Sequence, residues 1–305
     1  MTSPSSRVGI RGKREEIGTA LLLLAPFLLI ILAFMIGPVI YSLLISFKEF
    51  SYLNPAGAFG VGFDNYTALF RDKTFLTAMK NTFKLLLIVV PLQTVFALVL
   101  ANVLNRNIRA KTFFRTVYYL PYIASPVAIG AVMVYLFNRD GLITGWLEML
   151  GFRNVAWYAD GTYAFYLVAG IIVWTQIGFY TVIYLSGLQS INGEIYEAAK
   201  VDGAGSFRIF AHITVPLLRS TTFLVLVMGG LATLQAFDQP YVVSTTGGAL
   251  PGSPGDSTLT MVMFLYTAAF KYYDMGYASA AAFIIFLMIF ALTLVQYAYF
   301  ERRTD

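Results

Sequence analysis

The sequence predicts an all-α integral membrane protein with six transmembrane helices. Of its 305 residues, 58% are apolar and only 12% are charged, whereas a soluble domain carries about 25% charged residues. Long uncharged stretches recur along the chain, and a helix needs about 20 apolar residues to cross the hydrocarbon core of a bilayer. Much of the protein surface is therefore expected to face lipid.

Six uncharged stretches are long enough to cross the membrane. They run from Glu16 to Lys48, Lys84 to Arg106, Arg115 to Arg139, Asp160 to Glu194, Arg219 to Asp238 and Asp274 to Glu301. The first is longer than the apolar region of a signal peptide, about 7–15 residues, and is predicted to stay in the chain as a helix. A seventh stretch, from Ser257 to Phe270, is too short to cross at about 1.5 Å per residue and is interpreted as a re-entrant or interfacial segment.

The orientation follows from the distribution of Lys and Arg, which accumulate on the cytoplasmic side of membrane proteins. With a cytoplasmic N-terminus, the inner segments hold more Lys and Arg than the outer ones. We therefore expect a protein of the cell membrane with cytoplasmic tails at residues 1–16 and 302–305. Residues 17–301 form the six-helix domain, and segment 194–219 lies in the cytoplasm.

Segment 194–219 has the sequence pattern of two short helices. Helix formers run from Ile195 to Asp202, and Gly203 can end that helix because glycine tolerates left-handed backbone angles. Ser206 is predicted to cap a second short helix, and Pro216 is expected in the first turn of the fifth span. Two short helices joined by a glycine bend can bind in a groove of a cytoplasmic partner.

The same segment carries a spaced motif. Glu-Ala-Ala, three residues, Gly, nine residues and Ile-x-Val-Pro follow one another at Glu197, Ala198, Ala199, Gly203, Ile213 and Pro216, accompanied by Asp202. This pattern resembles the EAA signature of permease subunits of ABC importers, with Val215 in place of the usual leucine. The resemblance extends over about residues 17–301 and implies the type I ABC importer permease fold.

The resemblance implies that this chain works in a complex in which other subunits bind ATP. Segment 194–219 would dock on an ATP-binding subunit, with Glu197 paired to a basic residue of that subunit and Gly203 allowing the bend. The expected partners are a second permease subunit, two ATP-binding subunits and an external solute-binding protein. ATP and Mg would be bound by the ATP-binding subunits, and no cofactor is expected in this chain. The alternative is an amphipathic connector without a partner.

Other segments narrow the resemblance to one class. Gly62-Phe63-Asp64-Asn65-Tyr66 and the stretch from Phe237 to Gly248 are similar to permeases of the maltose, lactose and glycerol-phosphate type, and to the first of their two permease subunits. We therefore expect transport of a sugar or sugar-like solute. The identity of the solute stays open, with glycerol-3-phosphate as an alternative. External segment 239–273 is either a flexible loop, or it helps to receive the solute-binding protein or lines the entrance of the pathway.

Polar and aromatic residues within the spans are candidates for the solute pathway. Ile172, Gln176 and Phe179 share one helical face of the fourth span. The full predicted set is Ile172, Gln176, Phe179, Tyr180, Gly229 and Thr233. Aromatic rings could stack on sugar rings, while Gln176 and Thr233 could bind hydroxyls. The alternative is that these polar groups join helices to one another, as buried Gln and Thr often do in membranes.

Several other functions are disfavoured by composition. The chain has no cysteine and a single histidine, which argues against a cysteine- or histidine-based metal site. It contains no Gly-x-x-x-x-Gly-Lys-Ser/Thr loop for nucleotides, so we predict no enzymatic activity. The net charge of +5 is interpreted as membrane topology rather than nucleic-acid binding. A stand-alone secondary transporter is the weaker alternative, since the six apolar cores contain no carboxylate.

Overall fold

The computed structural model describes residues 10–105 and 110–301, and these residues are mainly helical. The helices are α1 Ile10–Ile31, α2 Gly37–Ser46, α3 Asp64–Arg71, α4 Lys73–Asn105, α5 Lys111–Ile123, α6 Pro126–Leu136, α7 Leu142–Met149, α8 Gly161–Gln189, α9 Gly193–Val201, α10 Ser206–Ile209, α11 Val215–Leu217, α12 Arg219–Leu234, α13 Asp238–Thr245, α14 Met261–Phe270 and α15 Met275–Glu301. The π-helical turns Leu32–Ile36 and Phe210–Thr214 join α1 to α2 and α10 to α11. Strands β1 (Lys48–Glu49) and β2 (Phe59–Gly60) form one antiparallel pair.

Within the described residues, five helical segments are long and apolar enough to cross a membrane. They are Thr19–Ser46, Lys73–Asn105, Gly161–Gln189, Arg219–Thr245 and Met275–Tyr299. They correspond to the first, second, fourth, fifth and sixth predicted spans. Residues 10–16 of the predicted N-terminal tail already belong to α1, whereas residues 1–9 and 302–305 lie outside the described residues.

The third predicted span is not one continuous helix. α5 and α6 meet at an angle of 98°, so the prediction of a single helix from Arg115 to Arg139 was wrong. The cause is local: Pro126 disfavours a helical conformation at the preceding Ser125 and cannot continue the hydrogen-bond ladder. Ser125 instead caps α6, its Oγ accepting a hydrogen bond from the Ala128 N–H at 3.5 Å. The six spans are obtained only if this bent pair counts as one.

The centre of the bundle is formed by α4, α8 and α12, which pack against one another. Val89 of α4 and Val168 and Ile172 of α8 are at most 1% exposed. α5 approaches α8 very closely at Gly178, because a Cβ atom at this position would overlap the backbone carbonyl of Tyr118. Close helix contact through small residues is the usual packing mode inside membranes.

The first span is held at the edge of the bundle. α2 packs against α15, and Asn65 Nδ2 donates hydrogen bonds to the carbonyls of Ser46 and Lys48, each at 2.9 Å. The Tyr66 hydroxyl is 2.7 Å from Ser46 Oγ. The Asn65-Tyr66 element therefore fixes the end of the first span to α3.

The short apolar stretch before the last span folds back into the bundle. α14 begins deep inside, where the Met261 N–H donates to Thr82 Oγ1 at 3.0 Å and the Thr260 hydroxyl donates to the Ala236 carbonyl at 2.9 Å. It ends at Phe270, whose side chain is 56% exposed. The helix thus runs from the packed interior to the surface of the bundle, and the interpretation of Ser257–Phe270 as a re-entrant or interfacial segment stays a prediction.

Candidate coupling loop and solute pathway

The first arm of segment 194–219 has well-defined ends. Asn192 caps α9, its Oδ1 accepting a hydrogen bond from the Glu194 N–H at 3.1 Å. At the other end, Gly203 has a φ of +76°, and the Ala204 N–H donates back to the Ala199 carbonyl at 2.9 Å. Only glycine adopts this backbone conformation without strain. The predicted glycine bend is therefore present where the motif places it.

The second arm differs in two details from the prediction. Gly205, with φ −70° and ψ 159°, occupies the N-cap position, and Ser206 is the first residue of α10. Pro216 lies in α11, which a non-helical backbone at Leu218 (φ −84°, ψ 10°) separates from α12. Pro216 therefore precedes the fifth span and is not part of its first turn, because the regular α-helix of this span begins only at Arg219.

The motif residues form mainly a surface. Glu197, Ala198, Asp202, Gly203 and Pro216 are exposed and Ile213 is half-buried. Ala199 is the exception, with 7% of its surface exposed. The carboxylate of Glu197 and the glycine bend at Gly203 are thus both accessible from outside the chain, and their predicted docking role stays a prediction.

On α8 the predicted pathway residues divide into two groups. Gln176 and Phe179 are half-buried, whereas Ile172 and Tyr180 are only 1% and 2% exposed. The Tyr180 hydroxyl donates a hydrogen bond to Gln176 Oε1 at 3.0 Å. Ile172 lies in the packed core with Val89. In the described state, α8 therefore offers Gln176 and Phe179 to the surface of the chain.

On α12 the predicted residues lie inside the bundle. Thr233 is fully buried, and its hydroxyl donates to the Gly229 carbonyl at 2.8 Å. Gly229 is itself buried against Gln93 of α4. The structure thus places Gly229 and Thr233 away from the surface that Gln176 and Phe179 share. Their role as solute contacts stays a prediction.

Tyr122 is a candidate residue that the sequence pattern did not reveal. Its side chain is 43% exposed, and its ring stacks on Phe179 with centroids 4.6 Å apart and an interplanar angle of 12°. It lies two residues before the break between α5 and α6, where residues 122–128 are all exposed. Exposed irregular backbone at membrane depth must be covered by protein or line a water-filled cavity. The signal in the sequence was Pro121 and Pro126, which flank the break.

A cavity of about 640 Å³ lies at the opposite end of α4 from segment 194–219, which is called the coupling segment below. Its lining comes from the loop before α14, from α14 itself and from the residues at the start of α4 and α15. The charged residues around it are Asp72, Asp256, Lys271 and Asp274. Asp72 is held in place by Tyr277, whose hydroxyl donates to Asp72 Oδ2 at 3.0 Å.

The bundle with its broken third span and its exposed two-arm segment defines the transmembrane subunit of a type I ABC importer. Residues 93–305 match the family described as the binding-protein-dependent transport system inner membrane component. The chain belongs to this family.

Curated relatives and solved structures agree with this assignment. The chain is 33% identical to the probable ABC transporter permease protein YurN of Bacillus subtilis. The matched 278 residues are 90% of this chain and 93% of that protein. It is 33% identical to the lactose transport system permease protein LacF of Rhizobium radiobacter, over 92% of this chain and 94% of that protein. A chain in the crystal structure of a bacterial ABC transporter that imports the acidic polysaccharide alginate matches with a TM-score of 0.82 at 23% identity, covering 98% of this chain and 100% of that chain. The predicted family and fold class are confirmed.

Proposed function

We propose that this chain is the first of two permease subunits in an ATP-driven importer that moves a sugar across the cell membrane. The coupling segment carries the proposal, because its Glu197 carboxylate and its Gly203 bend are exposed and therefore accessible to a partner. Curated relatives named as sugar permeases, among them LacF and the diacetylchitobiose permease NgcF of Streptomyces coelicolor, support the solute class.

The proposed complex contains a second permease, two ATP-binding subunits and an external solute-binding protein. Glu197 and Gly203 would meet one ATP-binding subunit, which holds ATP and Mg, so this chain has no catalytic role. Both termini would lie in the cytoplasm, as the Lys and Arg distribution favours. The cavity at the outer end, with its several carboxylates, is the proposed contact for the solute-binding protein.

The proposed solute contacts are Gln176, Phe179 and Tyr122. Stacked aromatic rings offer a flat apolar face to a sugar ring, and the Gln176 amide can bind hydroxyl groups. These residues lie beside the break in the third span, which is where discontinuous helices form solute sites in transporters. Ile172, Tyr180, Gly229 and Thr233 would support them or become accessible when the bundle opens.

The proposal is tested in two stages. First, the chain is purified with a tag, and its partner subunits are identified. Second, the solute-binding protein is screened by thermal shift against lactose, diacetylchitobiose, an arabino-oligosaccharide and glycerol-3-phosphate. The compound that gives the largest shift is then radiolabelled, and its uptake into proteoliposomes is measured. We expect uptake that requires ATP and the binding protein. Uptake by the chain alone would contradict the proposal and favour a secondary transporter. A preference for glycerol-3-phosphate would replace the sugar by that solute.

A further inference from the structure

Gln93 is a buried amide without a hydrogen-bond partner. It lies on α4, its side chain is fully buried, and among the described residues neither its Nε2 nor its Oε1 atom forms a hydrogen bond. A buried amide normally has a partner, since an unpaired one loses the hydrogen bonds it would make with water. Gln93 is therefore packed in the interior, but its amide is not satisfied there.

The neighbours of Gln93 connect it to the proposed solute site. A Cβ atom placed on Gly229 would overlap Gln93 Nε2 and would lie 3.6 Å from the Tyr180 hydroxyl oxygen. The amide and the phenol therefore approach the same glycine from α4 and α8. The Tyr180 hydroxyl is already used, since it donates to Gln176 Oε1. Tyr180 thus links the two glutamines, since its hydroxyl bonds to Gln176 and lies near Gly229, where the Gln93 amide also lies.

A second glutamine, the half-buried Gln296, has the hydrogen-bond partner that Gln93 lacks. Gln296 of α15 packs near Gly230, and its Nε2 donates a hydrogen bond to the Leu226 carbonyl at 3.3 Å. Gln296 joins two helices, which is the ordinary role of a buried glutamine in a membrane protein. Gln93 makes no such bond within the described residues, although Gly229 leaves room for its amide.

We propose that Gln93 is the alternative acceptor for the Tyr180 hydroxyl and that it thereby frees Gln176 to bind the solute. In the described state, the Tyr180 hydroxyl donates to Gln176 Oε1. When a solute hydroxyl donates to Gln176 Oε1, the Tyr180 hydroxyl turns to Gln93 Oε1. The exchange replaces the hydrogen bond from Tyr180 to Gln176 by one from Tyr180 to Gln93, so the number of hydrogen bonds is conserved.

Gln93 is on this account a positioning residue, because it acts through Tyr180 and does not touch the solute. The inference rests on the proposed function and deepens it. Gly229 also gains a role, since any side chain at that position would displace the Gln93 amide. The exchange lowers the free-energy cost of binding the solute at Gln176. Loss of the exchange should therefore raise the KM for uptake and leave the maximal rate unchanged.

A double-mutant cycle tests the exchange. Uptake of the radiolabelled sugar chosen in the thermal-shift screen is measured in proteoliposomes for the complete complex with wild-type chain, Gln93→Met, Tyr180→Phe and both substitutions. Methionine keeps the volume of glutamine and removes both amide groups. We expect Gln93→Met to raise KM about threefold to tenfold, the range of one hydrogen bond. In the Tyr180→Phe background, Gln93→Met should leave KM unchanged, because no hydroxyl needs an acceptor.

Gln296→Met is the matched control, and we expect it to leave KM unchanged. Equal KM increases by Gln93→Met in both backgrounds, or no increase in either, would overturn the exchange. If Gln93→Met does not assemble, Tyr180→Phe alone decides, since removal of the hydroxyl that competes for Gln176 Oε1 should lower KM; an unchanged or increased KM would refute the inference. A wild-type complex that takes up no sugar contradicts the proposed function, whereas a working complex with additive effects contradicts the Gln93 exchange alone.

Discussion

The coupling segment and the bundle centre, where α4, α8 and α12 meet, are built in opposite ways. In the coupling segment, Glu197 and Gly203 are exposed and the backbone is held by bonds between residues close in sequence. In the bundle centre, the side chains of Tyr180 and Thr233 are buried, and the groups around them come from α4, α8 and α12. The first region is exposed and would suit a partner, as proposed above, whereas the second packs helices against one another.

The difference predicts how each region responds to substitution. A change in the coupling segment should leave the isolated chain folded and should reduce only solute uptake, which requires the partner. A change at a close helix contact should disturb the fold itself. Uptake measured together with the amount of folded chain separates the two kinds of effect.

The largest loss of uptake without loss of fold is expected for Gly203→Pro. Proline fixes φ near −65°, whereas the bend requires +76° at this position. Uptake should fall to background while membrane insertion and the size-exclusion profile stay normal. The control is Gly205→Ala, because Gly205 has a φ of −70° and a Cβ atom added there would meet no other atom within 4 Å. Normal uptake by Gly203→Pro would show that the bend is not needed for coupling.

Gly178→Ala should have the largest effect on the fold. The added methyl group would overlap the Tyr118 carbonyl, and neither backbone can move without separating α5 from α8. Overpacking of this kind costs about 1–3 kcal/mol or more, so we expect a lower melting temperature and a reduced yield of folded chain. Gly170→Ala lies on the same helix with open space around it and should behave as wild type. An unchanged melting temperature for Gly178→Ala would mean that the two helices are not in close contact.

Glu197→Lys should reduce uptake at least about tenfold, as expected when one partner of an interfacial charge pair is reversed. The Glu197 side chain is exposed and is not part of the packed interior, so the melting temperature of the isolated chain should not change. Glu194→Lys, on the same exposed helix, is the control and should retain uptake. Equal uptake by the Glu197 variant and wild type would remove Glu197 from the proposed interface.

Thr82→Val should have the smallest effect. It removes the acceptor of the Met261 N–H, and one such bond inside a membrane protein contributes about 0.6 to 2 kcal/mol. We expect a modest fall in melting temperature and weaker anchoring of α14. Thr77→Val is matched, since the Thr77 hydroxyl bonds within its own helix, to the Lys73 carbonyl. A larger effect of Thr77→Val than of Thr82→Val would contradict the anchoring role.

Spans and the coupling segment could be predicted because their causes are local. Uncharged stretches report burial in lipid, and the five continuous spans follow them closely. The Gly203 bend follows from one residue type and its backbone freedom. The break at Ser125 was missed although Pro126 marks it, because span prediction by hydropathy counts charges and does not register proline.

The solute pathway could be predicted only in part. Helical periodicity places Gln176 and Phe179 on one face, as the structure has them, but it cannot tell which face of α12 looks inward. Thr233 is hidden because α12 turns it towards the bundle, and Tyr122 joins Phe179 because α5 bends back across α8.

The sequence by itself determined the class of protein, the number of apolar stretches and the coupling motif, since each depends on composition or on residues near one another in the chain. The break of the third span also has a local cause, Pro126, and only its angle of 98° had to be read from the structure. The tertiary structure alone decided the pairing of Tyr122 with Phe179 and the unpaired state of Gln93 among the described residues. These features depend on how distant helices pack, and packing is set by contacts that no local pattern records.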